Sequence, residues 1–256
     1  MGIKLELKPY KLAGGLVKHI DDQIWRLEIP AGPGGRYRLA QLDDYTSRRR
    51  DNFPWRPPLS LSLRARASST TIPGTWGFGL WNDPFSLSLG LGGGKRRFPA
   101  LPEATWFFFA SPQNHLSLRD DIPGTGNLAA TFRSQHYPSF LLALAAPLLP
   151  LLVLPPLARL FRRLACRFIH QDAAKLSLDV TTWRVFQLDW STNYVRFIID
   201  NNTVLHTLVS PHGPLGIVLW IDNQYAALPP DGHLGYGTLP NPKPVWIEIT
   251  DLTINT

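Results

Sequence analysis

The stretch Leu59-Ser-Leu-Ser-Leu-Arg-Ala-Arg-Ala67 decides the fold, because its apolar and polar residues alternate strictly. Successive side chains of a β-strand point to opposite faces of a sheet. One face of this stretch therefore carries leucines and alanines, and the other carries serines and arginines. The alternation predicts a strand that is buried on one side and solvated on the other.

Short apolar runs of the same kind recur along the chain, separated by Pro-Gly, Gly-Gly and Asp-Asn turns. The turn Asp200-Asn201-Asn202 lies between two β-rich runs and predicts a hairpin. About a dozen strands with few helices predict an all-β fold, an antiparallel β-sandwich in one domain spanning residues 1–256. The further predicted strands are 23–29, 76–81, 85–89, 105–110, 115–119, 128–133, 183–190, 194–199, 203–209, 215–221 and 245–254.

Composition excludes several classes of protein. Hydrophobic residues make up 44% of the 256 residues and charged residues 18%, against a usual charged share of about 25%, which excludes a disordered chain. The single cysteine, Cys166, excludes a disulfide framework and a cysteine zinc site. The histidines lack the spacing of a helical metal site, and no nucleotide-binding motif occurs, so we expect no metal and no cofactor.

The net charge of +7 fits an anionic partner. The basic triplet Arg48-Arg49-Arg50 has no nucleic-acid recognition module beside it, so we expect no nucleic-acid binding. The charges in Met1-Gly-Ile-Lys-Leu-Glu-Leu-Lys-Pro9 interrupt any apolar signal segment, which leads us to expect a cytoplasmic protein. The oligomeric state stays open at this point.

Residues 140–156 break the β pattern, because this run has no charged or polar side chain. A straight helix of this length would span about 26 Å, less than the roughly 30 Å of a bilayer core. Pro147, Pro150, Pro155 and Pro156 also oppose one straight helix. We therefore do not expect a membrane span here.

The following residues, 157–169, place apolar side chains at helical spacing and arginines between them. A basic amphipathic helix beside a broken apolar run is typical of an anchor that lies in the plane of a membrane. We predict an inserted flap over 139–175 that binds anionic lipids, on the inner face of the membrane. A helical hairpin packed on the protein, or a dimer contact, is the alternative. The predicted membrane-binding residues are Phe140, Leu148, Leu151, Phe161, Leu164, Phe168, Arg159 and Arg163.

Four segments resemble glycoside hydrolase family 16. Residues 178–204 resemble the strand pair of that family that ends in an Asp-Gly turn, and 214–223 resemble its next strand, on the concave sheet. Residues 245–254 resemble its closing strand, and Gly74-Thr-Trp-Gly-Phe-Gly-Leu-Trp81 resembles its tryptophan strand. The likeness covers residues 55–135 and 176–256. It implies a concanavalin A-like jelly roll with a concave groove.

The catalytic motif that the resemblance implies, Glu-x-Asp-x-x-Glu, occurs nowhere in the chain. Members of the family carry it on the strand after the tryptophan strand, where retaining chemistry needs two carboxylates about 5 Å apart. The corresponding stretch here is Ala104-Thr-Trp-Phe-Phe-Phe-Ala110, which has no carboxylate. We therefore expect no β-glucanase activity.

Aromatic residues take the place of the missing carboxylates on the strands that would build the groove. Indole and phenyl rings stack on sugar rings or lie against lipid chains. The resemblance implies that the flap enters near the rim of the concave face, so we predict a lipophilic small molecule as the ligand. The predicted ligand-binding residues are Trp76, Trp81, Trp106, Phe108, Trp183 and Trp220.

Two apolar strands end in Trp-x-Asp, which makes Asp83 and Asp222 the candidate catalytic residues. If both approach one apolar groove, burial would raise the pKa of one carboxyl and let it act as a general acid. Acid catalysis by an isomerase, a cyclase or a hydrolase of a lipophilic substrate fits this pattern, while a strand cap or a turn is the plain alternative. The sequence leaves open whether the protein is an enzyme, an inactive glucanase-like lectin that binds glycans, or a membrane-anchored structural module.

Overall fold

The computed structural model describes residues 5–21, 23–84, 100–135, 142 and 146–256. In these ranges sixteen strands and the helix α1 (Pro155–Phe168) are assigned. Short 3₁₀ helices cover Arg50–Asn52 and Ala146–Val153. The strands are β1 (Lys8–Leu12), β2 (Leu16–His19), β3 (Trp25–Ile29), β4 (Leu39–Asp43), β5 (Leu59–Ala67), β6 (Thr75–Trp81), β7 (Ala104–Ala110), β8 (Leu128–Ser134), β9 (Ile169–Lys175), β10 (Arg184–Trp190), β11 (Val195–Ile199), β12 (Asn202–Thr207), β13 (Gly216–Asp222), β14 (Gln224–Ala227), β15 (Gly235–Thr238) and β16 (Val245–Asn255).

Two seven-stranded antiparallel sheets form the sandwich. Sheet A has the strand order β1-β4-β13-β6-β7-β8-β9, and sheet B has the order β12-β11-β10-β5-β16-β3-β2. The strands β14 and β15 pair separately as a hairpin. This architecture confirms the predicted all-β jelly-roll sandwich.

The core lies between the two sheets and follows from the alternation of the strands. On β5 the residues Leu59, Leu61, Leu63, Ala65 and Ala67 are buried in that core, as their spacing predicts. The strand pairs with β10 on one side and β16 on the other, so it is central in sheet B. Burying one face of each sheet provides the main drive for folding.

Most strand predictions are confirmed within one or two residues, and the hairpin at Asp200–Asn202 is confirmed as well. Asp200 and Asn201 adopt φ angles of +48° and +67°, the left-handed conformation that Asp and Asn tolerate better than most residues. The prediction of a strand at 115–119 is wrong. There the side chains of Ser117 and Gln171 hold the backbone in a loop. The predicted strand at 85–89 lies outside the described residues.

The last residues of the predicted insertion at 139–175 belong to a strand and not to the helix. Its helical part closes at Phe168, and Ile169–Lys175 forms β9, which pairs with β8 at the edge of sheet A. The helix is thus joined directly to a strand of the sheet. This connection fixes α1 beside the outer face of sheet A, the face turned away from sheet B.

Candidate functional site

The outer face of sheet A is aromatic because the strands alternate around it. On β7, Phe107 and Phe109 point into the core between the sheets, so Trp106 and Phe108 lie on the opposite face. Registered pairing places these two rings beside residues of β6 and β8. Five rings share this outer face, and we call them the aromatic cluster: Trp81, Trp106, Phe108, Phe132 and Trp220.

Trp106 is the centre of the aromatic cluster. Its ring centroid lies 5.7 Å from those of Trp81, Phe108 and Trp220, and 6.2 Å from that of Phe132. These spacings are typical of favourable tilted and edge-to-face ring pairs. The cluster is therefore one continuous aromatic surface across four strands.

Glycine on β6 gives the cluster its room. A Cβ atom at Gly77 would lie 2.7 Å from a ring carbon of Trp220, and one at Gly79 would lie 2.5 Å from the Cα of Trp106. Both distances are shorter than side chains permit, so larger residues here would displace the aromatic residues. The glycines of β6 thus leave space for the rings on the outer face, while the apolar residues between them are buried in the core.

The indole N–H groups divide into two sets. Trp220 donates to the Thr75 hydroxyl at 2.9 Å, and Trp190 donates to the carbonyl of Pro211 at 3.1 Å. In contrast, the Nε1 atoms of Trp81 and Trp106 are buried and have no hydrogen-bond partner in the described structure. Leaving a buried donor unpaired costs about 1–3 kcal/mol. The aromatic cluster therefore contains two unpaired hydrogen-bond donors on adjacent rings.

The structure brings together four of the six predicted ligand-binding aromatics, namely Trp81, Trp106, Phe108 and Trp220. The prediction for Trp76 is wrong for the groove, because its ring lies in the core and stacks on Phe109 at 3.8 Å. Trp183 belongs to sheet B, where Arg64 and Arg66 lie over its ring. Phe132 was not among the predicted residues, although the alternation of β8 places it on the outer face.

Asp83 and Asp222 do not share a groove, which corrects the predicted pairing. The two Trp-x-Asp strands are β6 and β13, and they run antiparallel, with Asp222 opposite Thr75 and Gly216 opposite Trp81. Asp83 therefore follows the far end of β6, about 25 Å from Asp222 at 3.3 Å per residue. Because the two strands run antiparallel, their matching C-terminal sequences lie at opposite ends of the strand pair.

Asp222 is buried among neutral donors. Its Oδ1 accepts hydrogen bonds from the Thr75 hydroxyl at 2.9 Å and from the backbone N–H groups of Thr75 and Gln224. Its Oδ2 accepts one from the Tyr37 hydroxyl at 3.2 Å. Burial raises the pKa of Asp222 to about 7, although these hydrogen bonds oppose the shift. Burial, together with the charge of Asp222, also raises the pKa of Tyr37.

Asp44, which follows β4 of sheet A, is another buried carboxyl and was not among the predicted residues. It accepts from the indole N–H of Trp55 and from the backbone N–H of Ile217. Burial raises its pKa to about 7 as well. The sequence signal that could have identified it is the acidic pair Asp43-Asp44 directly after the strand residues Leu39–Leu42.

Helix α1 turns its apolar stripe away from the protein. Its buried residues are Ala158, Arg162 and Ala165, which form one face of the helix. The apolar stripe is exposed by 37–49%, and it consists of Leu157, Leu160, Phe161, Leu164 and Phe168. An amphipathic helix of a globular protein normally buries this stripe.

Arg162 attaches α1 to the sandwich. Its guanidinium donates to the carbonyl of Ser117 at 2.6 Å, to the carbonyl of Leu228, and to the carboxylate of Asp120. Three acceptors from two loops pair the buried charge, as a buried charge requires. Arg162 is thus the arginine of the helix that faces the sandwich.

The exposed apolar residues are concentrated around α1. Residues 151–168 hold eight of the fifteen large hydrophobic residues that are exposed in the described structure, including Leu151, Val153 and Leu154 before the helix. Arg159, Arg163 and Arg167 are exposed on the same helix. Of the predicted membrane-binding residues, Phe140 and the side chain of Leu148 lie outside the described residues, and the other six are exposed.

No helix in the described ranges of the chain is long and apolar enough to cross a membrane. No group of three or more His, Cys, Asp or Glu side chains in those ranges is placed to hold a metal ion.

Comparison with known proteins gives similarity of fold alone. No family model matches the chain, and no curated protein matches it. Among solved structures, a family 16 endo-glucanase from Bacteroides ovatus is 12% identical with a TM-score of 0.49, the alignment covering 97% of this chain and 94% of that one. LamAcat from Zobellia galactanivorans is 13% identical with a TM-score of 0.49, over 92% and 78% of the two chains.

A structure of botulinum neurotoxin type C, whose cell entry depends on two ganglioside molecules, is 8% identical with a TM-score of 0.44. That alignment covers 97% of this chain and 42% of the toxin chain. The structural neighbours thus include glycoside hydrolases and a glycan-binding domain. At these values nothing about the site of this chain follows from them.

Proposed function

We propose that this protein works at the surface of an anionic membrane and binds a lipophilic molecule on the outer face of sheet A. The observation that carries the proposal is the orientation of α1, which buries Arg162 and exposes its apolar stripe. Exposed apolar surface is costly in water, at about 25 cal/mol per Å². A lipid interface relieves that cost, and contiguous exposed patches of this kind mark interaction sites.

The charges on α1 favour a bilayer over an uncharged partner. Successive residues of a helix are separated by roughly 100°. This spacing gives α1 a buried side, the exposed apolar stripe, and a basic side where Arg159, Arg163 and Arg167 border that stripe. No acidic residue lies in the helix. Each arginine near an anionic leaflet contributes about 1 kcal/mol to binding. The proposal therefore places the protein on the cytoplasmic face, the leaflet rich in anionic lipids.

The aromatic cluster adjoins the membrane-facing helix. Ala165 of α1 and Ile169 at the start of β9 pack in the same apolar group as Trp106, Phe108 and Trp220. A molecule dissolved in the bilayer would reach the cluster along this continuous apolar surface. If chemistry accompanies binding, the acid we propose is Asp222 and not Asp83, because Thr75 links Asp222 to Trp220 of the cluster.

The test is flotation with liposomes that contain about 30% phosphatidylserine. We expect the change of Phe161, Leu164 and Phe168 to Ser to weaken binding by about 100-fold or more, since each large side chain loses roughly 1.5–3 kcal/mol of apolar burial. Changing Arg159, Arg163 and Arg167 to Gln should weaken binding about fivefold per residue, with the loss fading at high salt.

The matched control changes three exposed apolar residues of the sheet B side, Leu16, Ile20 and Val185, to Ser. These side chains have similar exposure and do not belong to α1, so binding should stay at the parent level. A helix variant that floats as well as the parent does would refute the proposed docking surface.

Glycan binding is the second candidate function. The observation that favours it is the arrangement of indole rings on the outer face of sheet A, because tryptophan faces also stack on sugar rings. The ligand experiment below separates it from the lipophilic ligand.

A further inference from the structure

Two neighbouring tryptophans of the aromatic cluster hold N–H groups with no acceptor. Trp106 is 7% exposed, and its Nε1 atom is buried without a partner, as is the Nε1 atom of Trp81. The ring centroids lie 5.7 Å apart. Among the described residues, the other buried side-chain polar atoms without a hydrogen-bond partner belong to Thr105, His115 and Asn241, which are not part of the cluster.

Three other buried indoles of the described residues do have partners. Trp55, Trp190 and Trp220 are 1–8% exposed, and each donates its indole N–H to an oxygen acceptor. Buried polar groups in folded proteins are nearly always paired, so an orphaned donor calls for an explanation such as an absent partner. An indole donates and does not accept, so the absent partner is an acceptor.

We propose that the aromatic cluster binds an apolar, ring-bearing molecule through a carbonyl-type oxygen that accepts the hydrogen bonds of Trp106 and Trp81. This inference rests on the proposed lipophilic ligand and names its chemistry. The oxygen replaces the missing acceptor, and the apolar body of the ligand covers the phenyl and indole faces that surround it.

The surroundings of the two donors oppose more polar ligands. The remaining residues of this apolar group include Ala104, Leu128, Ala130 and Val218, which offer no side-chain hydrogen bonds. An oligosaccharide would press many hydroxyls against the phenyl, indole and aliphatic side chains of this group, and its unpaired groups would cost affinity. A single neutral acceptor on an apolar frame matches what the cluster provides.

The experiment uses a matched pair of probes, fluorenone and fluorene, which share a flat three-ring shape and differ by one carbonyl oxygen. Calorimetry on the full chain should show fluorenone binding about 30-fold more tightly than fluorene, since two buried hydrogen bonds contribute about 1 kcal/mol each. In the Trp106→Phe variant the preference for fluorenone should fall to about fivefold, because Trp81 still donates its hydrogen bond. The control Trp183→Phe, on sheet B, should keep the preference.

A second variant guards against misfolding of Trp106→Phe. Replacing Trp106 with benzothienylalanine keeps the shape of the indole and removes its N–H, so it should also lower the preference for fluorenone to about fivefold. Fluorene binding without a preference for fluorenone in the parent, or a preference that is undiminished in both variants, would overturn this inference and leave the lipophilic site standing. Binding of neither probe, or displacement of both by a β-1,3-glucan oligosaccharide, would overturn the lipophilic ligand of the proposed function as well.

Discussion

The strand β5 and the helix α1 treat the same kinds of residue in opposite ways. On β5 the leucines are 1–4% exposed and the arginines lie toward solvent. On α1 the leucines and phenylalanines are 37–49% exposed, and Arg162 is 4% exposed. Both segments are amphipathic by sequence. The contrast teaches that the periodicity of a segment defines its faces, whereas its neighbours decide which face is buried.

The largest expected effect comes from one substitution made in both segments. Leu63→Ala on β5 should lower the free energy of unfolding by about 2–5 kcal/mol, because it leaves a cavity in a closed core. Leu164→Ala on α1 should change it by less than about 0.5 kcal/mol, because this side chain is already largely in water. Urea denaturation of both variants measures the difference. Equal losses would mean that α1 is covered in solution, for instance by a second copy of the chain.

The next effect separates two adjacent arginines of α1. Arg162→Met should destabilise the protein by about 1–3 kcal/mol, because the carbonyls of Ser117 and Leu228 lose their donor. Arg163→Met should cost under about 0.5 kcal/mol, since Arg163 is exposed. Hydrogen exchange of the α1 amides should accelerate only in the Arg162 variant. Similar behaviour of the two variants would contradict the attachment of the helix through Arg162.

The smallest effect concerns the buried carboxyl of Asp222 and extends the comparison from apolar residues to charged ones. Arg162 is buried with a carboxylate among its acceptors, whereas Asp222 is buried among neutral donors. The unfolded carboxyl ionises near its ordinary value of 3.8, while the folded one holds its proton up to about 7. Between these values the folded state binds more protons, so the contribution of Asp222 to stability falls as pH rises.

The substitution Asp222→Asn removes this titration. The variant should therefore gain in melting temperature relative to the parent, by a few degrees, between pH 4.5 and 7.5. Asp44 titrates in the same direction in both proteins, so it cancels in the comparison. A melting-temperature difference that stays constant over this pH range would show that Asp222 is ionised throughout.

Much of the fold could be predicted from the sequence, because β-strand alternation is a local signal. Leu59–Ala67 was predicted to the residue, and the faces of Trp106 and Phe108 follow from the same rule. The strand Ile169–Lys175 was missed, since His, Gln, Asp and Lys interrupt its apolar pattern at an edge of sheet A. The loop at 115–119 alternates like a strand but finds side-chain partners in place of a ladder.

The candidate site divides in the same way. The sequence supplied its residue types: aromatic strands, an uncharged run and a basic amphipathic helix. Only the tertiary structure decided that Asp83 and Asp222 lie at opposite ends, because strand direction is set by long-range pairing. It also decided that Trp76 packs in the core and that Arg162 faces inward. Local pattern fixes which residues share a face, whereas the direction of that face depends on contacts between segments far apart in the chain.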